Sequence, residues 1–478
     1  MNTTSLLNDG RRPRLLVTIA SFGDKNLGFL KKIIKGYRSL PMDVDVVVLS
    51  NNQKELGEGV KVLVGLPTED PWSLPFAHKP VLAENADRYD LFIYTEDDMD
   101  VTERNLRAFL EAVPHLAPTE IAGFLRYEIG ADGGWSFPDA HGSYRWKPET
   151  VERRGGYTIA EFNNEHAAFY ILTQPQLKKV IASGGFLRAP CKGRYDMACT
   201  AATDPYTNCG FRKVVCISSL DDFLIHHMSN RYVGQLGPSL SAFKEQVAAL
   251  LNMSGNGHHP AALCPTESAA FPGNWSKHFY ENPREDVLKL IPAGVKSVLS
   301  IGCGWGAMEA ALQERGAAVT ALPLDPVIGA GAARQGVEMI YGTLGEGLET
   351  LAQRKFDCVL VTNLLHFQSD PKAVVASCCR LVRNGGTLVM SGPNFDRLPV
   401  FIKRVVGIGG FAKLRQFERG GVSVCGPGTL AGSIKAAGLR IATVIWANDP
   451  PLIPNGKAVD PPRFGSLTAR SWVLQARR

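Results

Sequence analysis

Hydrophobic and polar positions along the chain fall into two successive stretches with the same rhythm. "RLLVTIASF" from Arg14 is a near-continuous apolar run of the kind a buried parallel strand needs. "NLGFLKKIIKGYRSL" then repeats its apolar residues at helical spacing, and "VDVVVLSNN" is again a strand. "KPVLAENADRYD" predicts a helix and "LFIYTEDD" a strand; "HAAFYILT", "QPQLKKVIAS" and "RKVVCIS" continue as strand, helix and strand. From about Gly237 the pattern loosens. "MSGNGHHPAALCPTESAAFPGNW" is rich in Gly, Pro, Ser and Asn and predicts a linker over residues 238–281. Order resumes at "NPREDVLKLIP" and runs through "KSVLSIGCGWG", "AMEAALQERG", "AVTALPLD", "FDCVLVTNLLHF", "DPKAVVASCCRLV" and "GGTLVMSGPN". No repeat relates the two halves. The expectation is two tandem α/β domains, residues 1–237 and 282–478, each built on a mostly parallel sheet.

Length supports that division, since 478 residues exceed one ordinary core. With 45% hydrophobic and 21% charged residues the composition is globular, which excludes disordered and fibrous classes. A net charge of +6 suits anionic small ligands or a membrane surface and does not call for nucleic acid. The start "RRPRLLVTIASFGDK" imitates a signal peptide, but it lacks a cleavage site and runs into Asp24-Lys25, so it reads as a first strand. No uninterrupted apolar run is long enough to span a bilayer. A cytoplasmic protein is expected, with peripheral association at the inner face of the membrane left open. None of the ten cysteines forms a CxxC pair, which argues against a zinc site.

Two stretches carry chemistry. "SIGCGWGA" lies between a strand and a helix, where glycines let a backbone approach a ligand closely. Gly302, Gly304 and Ala307 fit the relaxed dinucleotide spacing; Gly302, Gly304 and Gly306 fit G-x-G-x-G. With "FDCVLVTNLLHF" and "LVRNGGTLVMSGPN" in order behind it, the second half resembles class I S-adenosylmethionine-dependent methyltransferases, a Rossmann-like fold. The resemblance implies that Gly302, Gly304 and Gly306 border the methionine end of the cofactor, with Asn363 and His366 near the methyl-transfer point. It also implies an acidic residue for the ribose hydroxyls at the end of the second strand. Asp325 in "VTALPLD" comes about two residues late, and a turn-capping role is the alternative. "FIKRVVGIGGFAKLRQFERGG" further on is apolar and basic; a lid over the substrate is expected, an in-plane membrane helix being the other reading.

The second stretch is "YTEDDMDV", four carboxylates in five residues directly behind an apolar strand. Carboxylates at the carboxyl end of a strand in an open α/β sheet lie where ligands bind, and a divalent cation with diphosphate oxygens would hold such a cluster together. Glu96-Asp97-Asp98 resembles the DxD-type motif of GT-A-fold glycosyltransferases that reads Glu-Asp-Asp; Asp98-Met99-Asp100 is a DxD one step along, so Asp98 and Asp100 are both metal candidates. The resemblance implies a nucleotide-sugar donor with Mn²⁺ or Mg²⁺. Thr18, Ala20 and Ser21 would lie near base and ribose, His78 and Lys79 at the diphosphate, and Glu96 and Asp97 at the nucleotide sugar. Asp196 in "GRYDMACTA" would be the base of an inverting transfer, with a helix cap as its alternative. One of His226 and His227 would complete the metal shell, because neighbours on a strand point opposite ways. A glycan or lipid-linked saccharide acceptor is expected, and methylation of a hydroxyl on the same or a related product. A nucleotidyltransferase in the first half, or a methyltransferase fold kept only for docking, are the competing readings.

Overall fold

The computed structural model describes residues 12–257, 260–271, 274–448 and 465–478. The basic Arg11 of the leader-like start and His258-His259 of the expected linker lie outside the described residues. The chain divides into two compact units. The first comprises residues 1–140, 146–243 and 250–257, and the second residues 141–145, 244–249 and 258–478.

The first unit has three sheets. Its main sheet runs in the order β11-β4-β1-β2-β3, with β1 Arg14–Ser21, β2 Asp43–Ser50, β3 Val60–Val64, β4 Leu91–Glu96 and β11 Phe169–Thr173. Neighbours are parallel except β11, which runs antiparallel to β4. β1 and β4 are central and apolar on both faces, which is why they read as continuous runs. The helix Leu27–Arg38 packs through Leu30, Ile33, Ile34 and Tyr37, the stripe its periodicity predicted. Two four-stranded sheets complete the unit: β6 Glu120–Ala122, β12 Arg212–Cys216, β10 Tyr157–Phe162 and β9 Trp146–Arg154; and β5 Met99–Asp100, β13 Leu224–His227, β7 Leu125–Ile129 and β8 Trp135–Ser136. Directly after β4 the chain reverses into β5, which pairs antiparallel with β13 and sets Met99 opposite His227. That reversal carries the acidic cluster.

The second unit is a seven-stranded sheet in the order β16-β15-β14-β17-β18-β20-β19. Its strands are β14 Ser297–Cys303, β15 Ala318–Pro323, β16 Glu338–Met339, β17 Phe356–Thr362, β18 Val382–Pro393, β19 Arg440–Ala447 and β20 Ser471–Arg477. The first five are parallel, and β20 inserts antiparallel between β18 and β19. Val298, Val319, Cys358, Leu360, Val389 and Val473 meet in one buried cluster, so the thiol of Cys358 packs as an apolar group.

The expected linker needs correction. Leu240–Asn256 is a helix capped by Ser239 and closed by Gly257 in the left-handed region. Its apolar residues Phe243, Val247, Leu250 and Met253 are buried at helical spacing, a signal that the Gly- and Pro-rich sequence behind it obscured. Further on, Phe279 and Tyr280 are buried in the second unit.

Candidate functional site

In the first unit the carboxyl end of β4 turns so that Glu96, Asp97 and Asp98 diverge. Asp97 accepts from Asn26 Nδ2 at 2.7 Å. Asp98 faces His227 Nε2 at 3.1 Å, and His227 Nδ1 lies 2.7 Å from Glu128 Oε1. Burial works against charge on His227, but the hydrogen bonds it donates to Asp98 and Glu128 outweigh it and push the imidazole up to about 9. The same bond from His227 holds the Asp98 carboxyl below its ordinary value. Glu96 behaves oppositely. Burial and the neighbouring Asp98 charge push it up to about 7, against the pull of Arg126.

The two candidate carboxylates have different partners: Asp98 faces His227, whereas Asp100 pairs with the exposed Lys32 at 2.7 Å. His226 bonds Asn230 at 3.1 Å and stacks on Tyr127, so of the two histidines only His227 meets the carboxylates. Among the described residues no three His, Cys, Asp or Glu side chains are grouped to hold a metal ion.

Other expected donor contacts are corrected by burial. His78 is enclosed, bonded to the Pro75 carbonyl and the Tyr170 hydroxyl and stacked on Tyr94. Lys79 forms a buried ion pair with Asp204, which also pairs with Arg188. Both side chains are engaged by protein partners inside the unit, in place of the exposed position a diphosphate contact would use. Thr18 is fully buried and donates to the Ile93 carbonyl across the sheet, and Ala20 pairs with Glu96 in the same sheet. Ser21, buried at the strand end next to Ala20, lies beside Asp97. Asp196 caps the helix Met197–Thr207 through Cys199 N at 2.8 Å and is exposed. Cys199 in turn lies 3.5 Å from His166 Nε2.

Sequence reasoning missed four residues here. Arg126 grips Asp139 with Nε 3.1 Å from both carboxylate oxygens, a buried pair behind the cluster. Glu128 and Asn26 hold His227 and Asp97. Arg126 and Glu128 alternate in the strand "LRYEI", and charges repeating every second residue on a buried strand were the available signal.

In the second unit the glycine loop follows β14. Gly302 and Gly306 adopt φ of 88° and 98°, the left-handed region that favours glycine. Gly304 is required for a different reason, because a β-carbon there would collide with the Phe279 carbonyl. That carbonyl accepts from Trp305 N at 3.0 Å, so residues 275–281 lie along the loop. The Lys277 ammonium donates to the Thr362 carbonyl at 2.9 Å and meets Glu281 at 3.3 Å; Asn363 Nδ2 donates to Glu281 Oε1 at 3.2 Å. Asn363 itself has φ 47°, a conformation asparagine tolerates better than most residues. Lys277, Glu281 and Asn363 thus gather at the carboxyl ends of β14 and β17, where an open α/β sheet binds its ligand. Lys277 and Glu281 were not singled out from the sequence.

Asp325 is buried and caps a turn, accepting from Val327 N and Ile328 N at 2.9 and 2.8 Å. Its other oxygen is 3.8 Å from Arg145, whose guanidinium lies 5.0 Å over the Phe279 ring. The late acidic residue has the capping role, with an arginine already beside it. His366 is 1% exposed, and its Nε2 is 2.8 Å from the Trp275 carbonyl. Burial pushes its imidazole down to about 4, against the pull of that bond. A neutral, enclosed ring donating to a backbone carbonyl orders the chain around Trp275; it is not placed as a base.

This sets up a stability test. The folded His366 resists the proton that the unfolded chain accepts, so stability is unaffected above about pH 6.5 and falls as pH drops toward 4. The loss amounts to on the order of 3 kcal/mol. His366→Gln retains an N–H donor and does not titrate. Its unfolding free energy should therefore lose less than the wild type's over that window in urea titrations. Parallel pH profiles would remove the assignment.

A glycine loop after the first strand of a seven-stranded sheet, with β20 reversed between β18 and β19, is the architecture of a class I S-adenosylmethionine-dependent methyltransferase. Residues 299–390 match the family model described as a methyltransferase domain. The chain is 32% identical over 172 residues to the ubiquinone biosynthesis O-methyltransferase of Xanthomonas axonopodis pv. citri, covering 33% of this chain and 67% of that protein. It is 30% identical over 195 residues to the enzyme of the same name from Xylella fastidiosa, covering 36% of this chain and 75% of that protein. Among solved structures, the N-methyltransferase NodS from Bradyrhizobium japonicum WM9 with S-adenosyl-L-homocysteine is 16% identical, with a TM-score of 0.29, over 42% of this chain and 90% of that one. Through its second unit the chain belongs to the S-adenosylmethionine-dependent methyltransferases.

Proposed function

We propose that the chain is a bifunctional transferase that adds a sugar from a nucleotide-sugar donor and methylates a hydroxyl of the same or a related product. The observation that carries the methyl half is the convergence of Lys277, Glu281 and Asn363 on the glycine loop, in a unit whose relatives include proteins named O-methyltransferases. The donor set suits S-adenosylmethionine: an ammonium for its carboxylate, a carboxylate and an amide for its amino group, and a backbone turn close to the chain. When bound, that cofactor supplies an electrophilic methyl group on sulfur. The protein's part is alignment: the ordered 275–281 segment and the αL turn at Asn363 fix the approach, and no dedicated base is required.

For the sugar half, the support is Asp98 held against His227, with Glu128 orienting the imidazole. A carboxylate and an imidazole whose second nitrogen donates to another carboxylate fit a divalent cation, and a diphosphate would have to supply the remaining ligands. Such an ion would neutralise charge on a departing nucleoside diphosphate. Asp97 and Ser21 would face the donor at the strand ends. Asp196, exposed and near Cys199 and His166, stays the candidate to accept the acceptor's proton.

A second reading has a specific observation behind it. Asp325 is engaged by two backbone amides and faced by Arg145, which favours a methyltransferase fold kept for docking an acceptor. Thermal shift of the intact protein with S-adenosylhomocysteine separates the two. Catalysis predicts a saturable rise in melting temperature, and a flat response across millimolar ligand would leave only docking.

A further inference from the structure

The helix Leu398–Val406 buries none of its residues. Leu398, Phe401, Ile402, Val405 and Val406 are between 43% and 66% exposed, and Ile408 just beyond its end is 54% exposed. Their spacing is the i, i+3, i+4, i+7, i+8 stripe that a globular helix turns toward its core, here turned to solvent. Single exposed apolar residues need no explanation, but a contiguous stripe does.

The opposite side of this segment is anchored. Val400 and Phe411 pack with Phe271, Trp275, Phe395, Leu414 and Val422 in an aromatic cluster. Gly407, Gly409 and Gly410 all take positive φ, and this bend folds Phe411 back against the helix. Arg415 donates to the Val405 carbonyl at 2.8 Å and ties the returning chain to the helix end. The stripe is therefore held outward by a built support. Charge around it is predominantly basic: residues 396–419 contain six basic side chains and two acidic ones, with Lys403, Lys413, Arg415 and Arg419 exposed. Among the described residues no helix is long and apolar enough to cross a membrane.

We infer that Leu398–Ile408 is an interfacial docking helix that seats the methyltransferase unit on an anionic lipid surface. Leu398, Phe401, Ile402, Val405 and Val406 enter the acyl boundary while the surrounding lysines and arginines meet the headgroups. A protein partner or a second copy would also cover an apolar stripe, but the basic surround matches anionic phospholipid. Because the same aromatic cluster includes Trp275, whose carbonyl is bonded to His366, docking places the glycine-loop edge of the sheet close to the lipid surface. The acceptor class this favours is one carried on a lipid anchor. The inference does not depend on sugar transfer or on methyl transfer.

The test is co-sedimentation of the intact protein with vesicles of phosphatidylcholine alone or mixed with phosphatidylglycerol. Wild type should bind the anionic vesicles at least about tenfold more tightly, and added salt should weaken binding. Phe401→Asp with Val405→Asp should abolish binding at both compositions, and Lys403→Glu with Arg415→Glu should remove only the anionic preference. Melting temperature and S-adenosylhomocysteine response in both variants, compared with wild type, report folding separately. Absence of vesicle binding by wild type overturns the inference. So does retained binding in the folded Phe401/Val405 variant, or a wild-type dimer in light scattering that those substitutions split while vesicle binding is unchanged.

Discussion

Asp98→Asn is expected to lower sugar transfer by at least about 100-fold while the fold and S-adenosylhomocysteine binding stay intact. The β4–β5 reversal delivers this carboxylate to His227, and the amide keeps its size while removing its charge. Under the proposed donor site, Asp98 would be the charged protein ligand of a divalent cation, and the amide would weaken that site. In the structure as it stands, the same substitution takes from His227 one of the carboxylates that its imidazole faces. Asp100→Asn is the matched control, because Asp100 pairs with the exposed Lys32 and should contribute under about 1 kcal/mol to stability and little to turnover. Rates measured with saturating nucleotide sugar and Mn²⁺, with circular dichroism of each variant, decide the matter. Near-wild-type transfer by the Asp98 variant would end the assignment of this cluster to a donor site. Equal losses in both variants would mean that the cluster acts only through its total charge.

Periodicity carried most of the architecture because buried parallel strands and one-sided helices leave strong local patterns. β1, β4, β14 and β17 stood out for that reason. The glycine loop was legible too, although not its cause: Gly304 makes room for the Phe279 carbonyl, a contact between distant segments that spacing cannot reveal. Individual site residues were harder. His78 and Lys79 look like surface polar residues until tertiary packing buries them against Tyr170 and Asp204. Asp100 and Asp98 are two residues apart and chemically identical, and only the turn between β4 and β5 separates them. Arg145 could not be found at all from local pattern. It comes from a short segment, residues 141–145, that belongs to the second unit although it lies far upstream in sequence.

That insertion changes what cutting the chain should do. A cut after Gly257 looks innocuous in a sequence that reads as a linker, and each half would be expected to fold alone. The second unit, however, includes residues 141–145 and 244–249. Gln246 accepts the buried Tyr280 hydroxyl at 2.9 Å, Glu245 pairs with Arg334 at 2.9 Å, and Arg145 faces Asp325 while covering the Phe279 ring. A fragment beginning at residue 258 loses all of these. It leaves a buried hydroxyl unpaired, at about 1–3 kcal/mol, and a buried carboxylate without its cation. A fragment of residues 238–478 recovers Gln246 and Glu245 but not Arg145. The expected order of stability in urea titrations is therefore the intact chain, then 238–478, then 258–478, with about 3–5 kcal/mol between the extremes. Adding Arg145→Ala to the intact chain should reproduce the part of the deficit that 238–478 retains. If 258–478 unfolds at the same midpoint as the second transition of the intact chain, these upstream residues are passive. A lower midpoint for 258–478 means that residues 141–145 and 244–249 are structural parts of the second unit. Co-expressed halves would then fail for a reason unrelated to substrate concentration.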